Sequence, residues 1–333
     1  MSSLTTSITT THLTRSELWT AELKDILEDE LAAQSYVRWF TTFPDGEQLN
    51  IPSIGEGTVR DYAEDTAVVY DPLDTGEFTF TITEYKQGGN YITRKARQDA
   101  FYSAQLEASF VPKQARALAE VVETDILSLA AGANVFGQGG NQAANDNNSI
   151  NNAEHRYVAS GTNQIMELQD VAKALYGLKK ANVPGSSLLA IVDPSVEYRI
   201  NTLANVLGSA SQELDPRFQS LLETGVGNGM RFIRNIFGFN FFVSNYLSLA
   251  GATQNGSETI DTVAGTNMKC NIFMSAAEER IVPFVGAWRQ APMVDSEFNK
   301  DMQREEYVTT ARYGLKLFRP ENLIVVLSDT TQV

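Results

Sequence analysis

The stretch that most constrains the fold is residues 112–131. Leu118, Val121, Val122, Ile126 and Leu129 recur at helical spacing and make one apolar stripe. Ala115, Ala117 and Ala119 raise helix propensity. Ser109 is the expected N-cap, which puts Pro112 in the first turn, where a missing N–H costs nothing. Gly132 follows the last periodic residue as the expected stop. At a rise of ~1.5 Å per residue such a helix is a rod of about 30 Å. Strand-rich sequence lies on both sides of it, so the helix reads as a spine on which the rest is laid.

A chain of 333 residues is long enough for two domains or so. A single cysteine, Cys270, makes an internal disulfide impossible and suits a reducing compartment. No run of eighteen apolar residues marks a membrane span, and the opening MSSLTTSITTTHL lacks the pattern of a signal peptide. Synthesis and folding in the cytoplasm are expected. The formal charge of −15 is unevenly spread: residues 1–93 carry five Lys/Arg against sixteen Asp/Glu, a net of −11. Such a balance gives no general attraction for nucleic acid. The acidic excess suits either a solvated face or a basic partner surface, including one on another copy of the chain.

Residues 1–14 are Ser/Thr-rich and read as a flexible arm. A helix is expected over 16–40, capped by Ser16, with Leu18, Trp19, Leu23, Ile26, Leu27 and Leu31 along one side. Its end carries the aromatic cluster Tyr36, Val37, Trp39, Phe40 and Phe43, which needs a surface to bury against. Short strands are expected at 58–62 and 67–70, and a strong one at 77–85, with Phe78, Phe80 and Ile82 on one face and hydroxyl-bearing residues on the other. Nothing nearby in sequence covers that apolar face; a projecting hairpin laid on a neighbour would explain it, and so would an ordinary meander. Gly88-Gly89 is expected to break the ribbon. Arg94, Lys95 and Arg97 form the one dense basic cluster, suited to pairing with the acidic N-terminal region of this or another subunit.

Residues 137–164 are Asn/Gly/Gln-rich and read as a long surface loop. A compact α/β region follows. It has helices at 168–182 and 195–207, a buried strand at 188–192 and a strand pair at 231–236 and 239–245 around Gly238. A further strand is expected at 269–274, and then extended segments at 281–285, 298–302, 306–318 and 323–327. No internal repeat is present.

The chain offers little chemistry. His12 and His155 have no carboxylate or cysteine at ligand spacing, so a histidine catalyst or zinc site is not expected. Cys270 sits in an expected strand and reads as a buried structural residue. The glycines Gly225, Gly227 and Gly229 suggest a phosphate-cradling loop, but no Lys-Ser/Thr pair follows and a strand, not a helix, comes next. No cofactor and no metal are expected, and no catalytic constellation stands out.

The order of parts resembles a tailed-bacteriophage major capsid protein over nearly the whole chain. The residues that carry the resemblance are Ile51-Pro52-Ser53-Ile54-Gly55, Thr58-Val59-Arg60-Asp61-Tyr62 and Phe78-Thr79-Phe80-Thr81-Ile82, which resemble the family's extended loop. Ala115-Arg116-Ala117-Leu118-Ala119 with Asp125-Ile126-Leu127 resembles its spine helix. Leu189-Ala190-Ile191-Val192-Asp193-Pro194 resembles a strand-to-helix turn of its axial domain, and Tyr313-Gly314 with Arg319-Pro320-Glu321 its closing strands.

The resemblance implies an α+β, Hong Kong 97-like phage major capsid fold. Its parts would be an N-terminal arm (1–48), an extended β-hairpin loop (49–93), a peripheral domain with the spine helix and a surface loop (94–164), an axial α/β domain (165–285) and closing peripheral strands (286–333). It implies a structural protein, not an enzyme. Hexamers and pentamers would close into an icosahedral shell around double-stranded DNA, without sequence-specific binding and without a membrane. A separate scaffolding protein and a portal are the implied partners, with a decoration protein in some members. The implied place is the virion, after synthesis in the host bacterial cytoplasm. Tyr36, Trp39, Phe40, Phe43, Phe78, Phe80, Ile82, Arg94, Lys95 and Arg97 are the expected inter-subunit contacts. Two other readings stay open here: a cellular nanocompartment shell of the same fold, and a soluble nucleotide-binding enzyme using the 225–229 loop.

Overall fold

The long helix and two principal sheets organise the computed structural model, which describes residues 31, 33–40, 48–54, 59–61, 64–65, 67, 75–99, 103–131, 149–206, 232–249 and 268–331. A turn of 3-10 helix, Ala33–Tyr36, leads into β1 (Val37–Phe40), β2 (Gln48–Ile54), β3 (Thr75–Thr81) and β4 (Glu84–Thr93). Helices α1 (Arg94–Asp99) and α2 (Ser103–Ser128) follow, then β5 (Ser149–Ile150), β6 (Ala153–Glu154) and β7 (Arg156–Val158). After them come α3 (Leu168–Lys180), β8 (Leu188–Val192), α4 (Pro194–Val206), β9 (Phe232–Ile236) and β10 (Phe239–Val243). The chain closes with β11 (Met268–Ser275), β12 (Phe284–Asn299), β13 (Arg304–Leu317) and β14 (Leu323–Asp329).

The six-stranded sheet has the order β7-β14-β11-β8-β10-β9 and is buried on both faces. Strand alternation explains how. Leu189 and Ile191, Met268, Cys270, Ile272 and Met274, and Leu323, Val325 and Leu327 face a core that α2 completes with Leu118, Val122, Ile126 and Leu127. The intervening residues Leu188, Ala190, Val192, Phe273, Ile324 and Val326 face a second core with Val171, Ala174 and Leu178 of α3 and Val196 and Ile200 of α4. Each large apolar side chain so buried contributes about 1.5–3 kcal/mol. Strands β7 and β14 join this sheet from either side of residues 165–285, and β14 pairs with β11 from Met268 opposite Asp329 to Met274 opposite Leu323.

The second sheet has the order β1-β12-β13-β4. Helix α2 lies on one face, where Ala311 and Tyr313 join its core. The β2–β3 hairpin covers the other face at one end of the sheet, where Phe80 and Ile82 pack with Val285 and Ala287.

Several expectations are corrected. The end of the expected 16–40 helix is a strand: Val37–Phe40 pairs in parallel with Phe284 to Ala287 of β12, and a long-range ladder overrides a local helical pattern. The carboxylate of Glu123 accepts the Ala33 N–H at 2.8 Å and the Gln34 N–H at 3.3 Å, which fixes this segment on α2. The strand expected at 77–85 is two strands, β3 and β4, with a corner at Ile82 and Thr83 that sends them to different sheets. Gly88 and Gly89 do not break the ribbon; they pair with Thr309 and Val308 inside β4. Helix α2 starts at Ser103, so Pro112 lies inside it rather than in its first turn. The helix formers from Ala104 to Ala108 and the packed half beyond carry it across the one missing N–H. Its C-terminal end tightens through the N–H groups of Leu129, Ala130 and Ala131, each bonded three residues back.

The described part of the Asn-rich region is not all loop. Asn151 and Asn152, with φ of 51° and 63°, form the two-residue turn between β5 and β6, a left-handed geometry that asparagine tolerates. Strand β12 is far longer than the expected 281–285 segment, and residues 300–303 are a turn rather than strand. The described residues among 58–62 and 67–70, namely 59–61 and 67, carry no strand. The helices at 168–180 and 194–206 and the strands at 188–192, 232–236, 239–243 and 268–275 lie where the sequence puts them. Gly238, at φ 90°, makes the tight turn between β9 and β10.

Candidate inter-subunit surfaces

The four-stranded sheet places most of the aromatic residues singled out above, and it places them inward. Trp39 stacks on Trp288 with ring centroids 4.9 Å apart, and Trp288 meets Tyr313 edge to face at 5.2 Å. Trp39 lies so close over Gly286 that a Cβ there would meet its ring at 2.6 Å. Phe40 meets Phe80 edge-on at 6.1 Å, Phe78 meets Phe318 at 4.8 Å, and Tyr36 packs near Phe242. Phe80 and Ile82 are 0% and 2% exposed. The apolar face of the 77–85 stretch is therefore covered by its own subunit's β12 and β13, and these two residues are core, not free surface. Phe43 lies outside the described residues.

Polar groups tie this sheet to the spine. The Tyr313 hydroxyl donates to Asp125 Oδ2 at 2.6 Å, and Thr309 Oγ1 donates to Gln114 Oε1 at 2.8 Å. Lys86 Nζ bridges Glu84 at 2.8 Å and Asp125 at 3.1 Å. The hydrogen bond to Glu84 holds the Lys86 ammonium above the usual lysine range, with Asp125 adding to it. Burial and the Asp125 carboxylate push the Tyr313 hydroxyl up, so it stays a donor. At the C-terminal end of α2, Arg156 Nη1 donates to the Ala130 carbonyl at 2.9 Å, where a cation suits the helix dipole.

The far end of the same sheet is different. Residues opposite one another in the ladder share a face, so Tyr91, Glu306 and Glu297 point one way and Ile92, Glu305 and Phe298 the other. On the first face Tyr85, Tyr91, Met293 and Val308 are 60%, 59%, 44% and 39% exposed. Arg304 sits 4.5 Å over the Tyr91 ring and bonds Glu306 at 2.6 Å, which holds the Glu306 carboxyl below the usual carboxylate range. On the second face α1 presents Arg94, Lys95 and Arg97, all exposed. Arg97 bridges Glu305 at 2.7 Å. Beside them a cleft of about 350 Å³ is lined by Ile92, Arg94, Arg97, Gln98, Phe298 and Glu305. The sequence reading missed Tyr85, Tyr91, Met293, Phe298 and Val308 as surface. Large apolar residues set among polar and charged ones along 84–93 and 293–308 were the available signal.

His155 is buried, and its Nδ1–H donates to the Ala153 carbonyl at 3.0 Å; burial pushes its pKa down. Cys270 is fully buried in β11. His12 and the 225–229 loop lie outside the described residues. Among the described residues no group of three or more His, Cys, Asp and Glu is placed to hold a metal, and no helix is long and apolar enough to cross a membrane.

A spine helix lies between two sheets, with a hairpin folded onto one of them. Solved capsid structures share this Hong Kong 97-like fold. The cyanophage Pam1 capsid asymmetric unit superposes with a TM-score of 0.63 over 100% of both chains at 12% identity. A structure from Mycobacterium phage Che8 gives 0.62 at 16% identity over 94% of this chain and 96% of that one. The capsid of a native GTA particle gives 0.61 at 10% identity over 98% and 100%. No curated protein sequence matches the chain at a significant level. The sequence model of the family described as phage capsid protein matches residues 76–326. The chain belongs to that family and is a structural protein of the capsid.

Proposed function

We propose that this subunit assembles with copies of itself into hexamers and pentamers that close an icosahedral shell around double-stranded DNA. A separate scaffolding protein and a portal are the partners in that process. The observation that carries the reading is the family match over 76–326, on a fold shared along the full length of phage capsid chains. The division into arm, extended loop, peripheral and axial parts belongs to the same reading. So do synthesis in the host cytoplasm and the absence of catalysis. The acidic balance of −15 supports a lining that holds DNA without binding it tightly. The exposed face at Tyr85, Tyr91, Met293 and Val308 and the basic helix α1 support contact with neighbours, because large apolar residues gathered on one face of a subunit mark interaction sites. Specific interfaces bury roughly 1,600 Å² each, so many such contacts stabilise a shell cumulatively.

The test is expression of the chain with and without its scaffolding partner, followed by sizing chromatography and negative-stain electron microscopy. Closed shells, rings or sheets of regular hexamers are expected. A monomer that stays monomeric under both conditions contradicts the proposal.

A further inference from the structure

Strand β4 is the outermost strand of its sheet, and its free edge has no partner strand among the described residues. It runs for ten residues without a proline. Its ladder to β13 keeps one register from Thr93 opposite Arg304 to Glu84 opposite Tyr313. An edge so long and regular presents a row of open N–H and C=O groups, which proteins ordinarily blunt with proline, a bulge or a standing lysine. The one lysine in β4, Lys86, is instead drawn onto Glu84 and onto Asp125 of α2. Gln87, Gly88, Gly89, Asn90 and Tyr91 are exposed in succession, so neither face of this stretch is covered. A Cβ at Gly88 would meet nothing within 4 Å, and one at Gly89 only the Tyr307 carbonyl at 3.8 Å. Glycines in mid-strand weaken it, and they mark a place where a second backbone comes close.

We propose that β4 pairs with β4 of a second copy, antiparallel and about a two-fold axis at Gly88, so that two four-stranded sheets become one continuous sheet. The occupant is a second copy because the strand complements itself. A two-fold that crosses a sheet sets residues of the same face opposite each other, and faces alternate along a strand. The axis therefore falls on a residue. With the axis at Gly88, Tyr85 of each copy stands opposite Tyr91 of the other, since the two lie three residues to either side. Both tyrosines are exposed in one copy, and they share a face. Cross-strand aromatic pairs are favourable, and this pair occurs twice. Lys86 meets Asn90, Glu84 meets Ile92 and Gln87 meets Gly89, so no like charges oppose each other. Gly88 and Gly89 keep the centre bare, where the strands approach to about 4.8 Å. Such a contact is isologous and closes at two copies. It stands apart from the shell reading, since two copies can pair whether or not a shell forms.

The experiment is a single cysteine on the axis. Gly88→Cys meets open space in its own subunit and stands opposite its own copy, at the cross-strand spacing that a disulfide spans. The buried Cys270 stays in place. The variant is oxidised both as the free chain and after assembly with the scaffolding partner. A non-reducing gel is expected to show linked dimers and no larger ladder, because the contact closes at two copies. Lys95→Cys, also exposed but well along α1 from the axis, is expected to give about tenfold less dimer. Gly88→Cys that links no better than Lys95→Cys in either state overturns the pairing and leaves the shell reading standing. Dimers from a chain that never forms shells support the pairing and overturn the shell reading. The register has its own check in the Gly88→Cys background. Tyr85→Glu faces Arg312 within its own subunit and Tyr91→Lys faces Glu306, so both are tolerated there. Tyr85→Glu is expected to lower the linked fraction about fivefold, and adding Tyr91→Lys to restore it within about twofold. A double variant that links no better than Tyr85→Glu alone overturns the register.

Discussion

The two ends of the four-stranded sheet are made from the same strands and serve different purposes. At the near end, around 284–288 and 313–317, both faces are covered by the chain itself. Helix α2 brings Asp125 and Ile126 to one face, and the β2–β3 hairpin brings Phe80 and Ile82 to the other. At the far end, around 293–308, the same alternation leaves Tyr91, Met293 and Val308 uncovered. The strands become charged toward the far end, and what is laid over them changes with them. Near-end residues therefore serve folding, and far-end residues are available to a neighbour.

The largest effect should come from thinning the helix side of the near end. Ile126→Ala leaves a cavity in a core shared by both sheets and should cost about 2–5 kcal/mol, read as a drop in denaturant midpoint of the unassembled subunit. A loss below about 1 kcal/mol would mean that α2 does not seal that face. Next is Gly314→Ala. A Cβ there would meet the Thr81 carbonyl at 2.8 Å and the Ile82 Cα at 3.0 Å, backbone atoms that cannot swing aside. Overpacking should cost about 1–3 kcal/mol and loosen the hairpin, seen as faster amide exchange at Phe80 and Ile82. Unchanged exchange would separate the hairpin from the near end.

At the far end, Tyr91→Ser should change subunit stability by no more than about 0.5 kcal/mol, the range for exposed sites, while lowering assembly yield. A large stability loss with normal assembly would erase the contrast between the ends. The smallest effect concerns pH. Glu306 is held below its ordinary value of 4.5 by Arg304, so its contribution is present above about pH 4.5 and is lost as pH falls through the lowered value. Lys86 is held above its ordinary 10.5, so its contribution is present below that value and lost only at stronger alkalinity. Acid should therefore loosen the far end at Arg304 and Glu306. Amide exchange around Arg304 that is the same at pH 3 and pH 7 would contradict this.

The legible parts of the chain share one property: their signal is local. The apolar stripe of the spine helix, the all-apolar run of β8, the Asp193-Pro194 start of α4 and the turn at Gly238 each follow from a few neighbouring residues. They lie where sequence places them, except that Val121 of the stripe is exposed. At α4 the Ser195 N–H and hydroxyl both bond Asp193 Oδ2, at 3.0 and 2.7 Å, a cap readable from three residues. The family likeness also came from sequence, through the order of such segments.

The candidate surface was half legible. The basic cluster at 94–97 is exposed, as its composition suggests. Phe80 and Ile82 are not surface, because an apolar face needs a cover and the residues that supply it, Val285 and Ala287, lie some two hundred positions away. Residues 37–40 are a strand for the same reason: their partner is β12, and hydrogen bonds to a distant strand outweigh helical periodicity. Strand β12 itself was hidden by Gly286, Pro292 and its charges, and it extends because β13 pairs along its length. The sequence by itself determined helices α3 and α4, the buried strands β8, β10 and β11 and the family. Only the tertiary structure decided which apolar faces are closed within the subunit and which stay open. Burial is a relation between segments far apart in the chain, and no local pattern records where its partner will be.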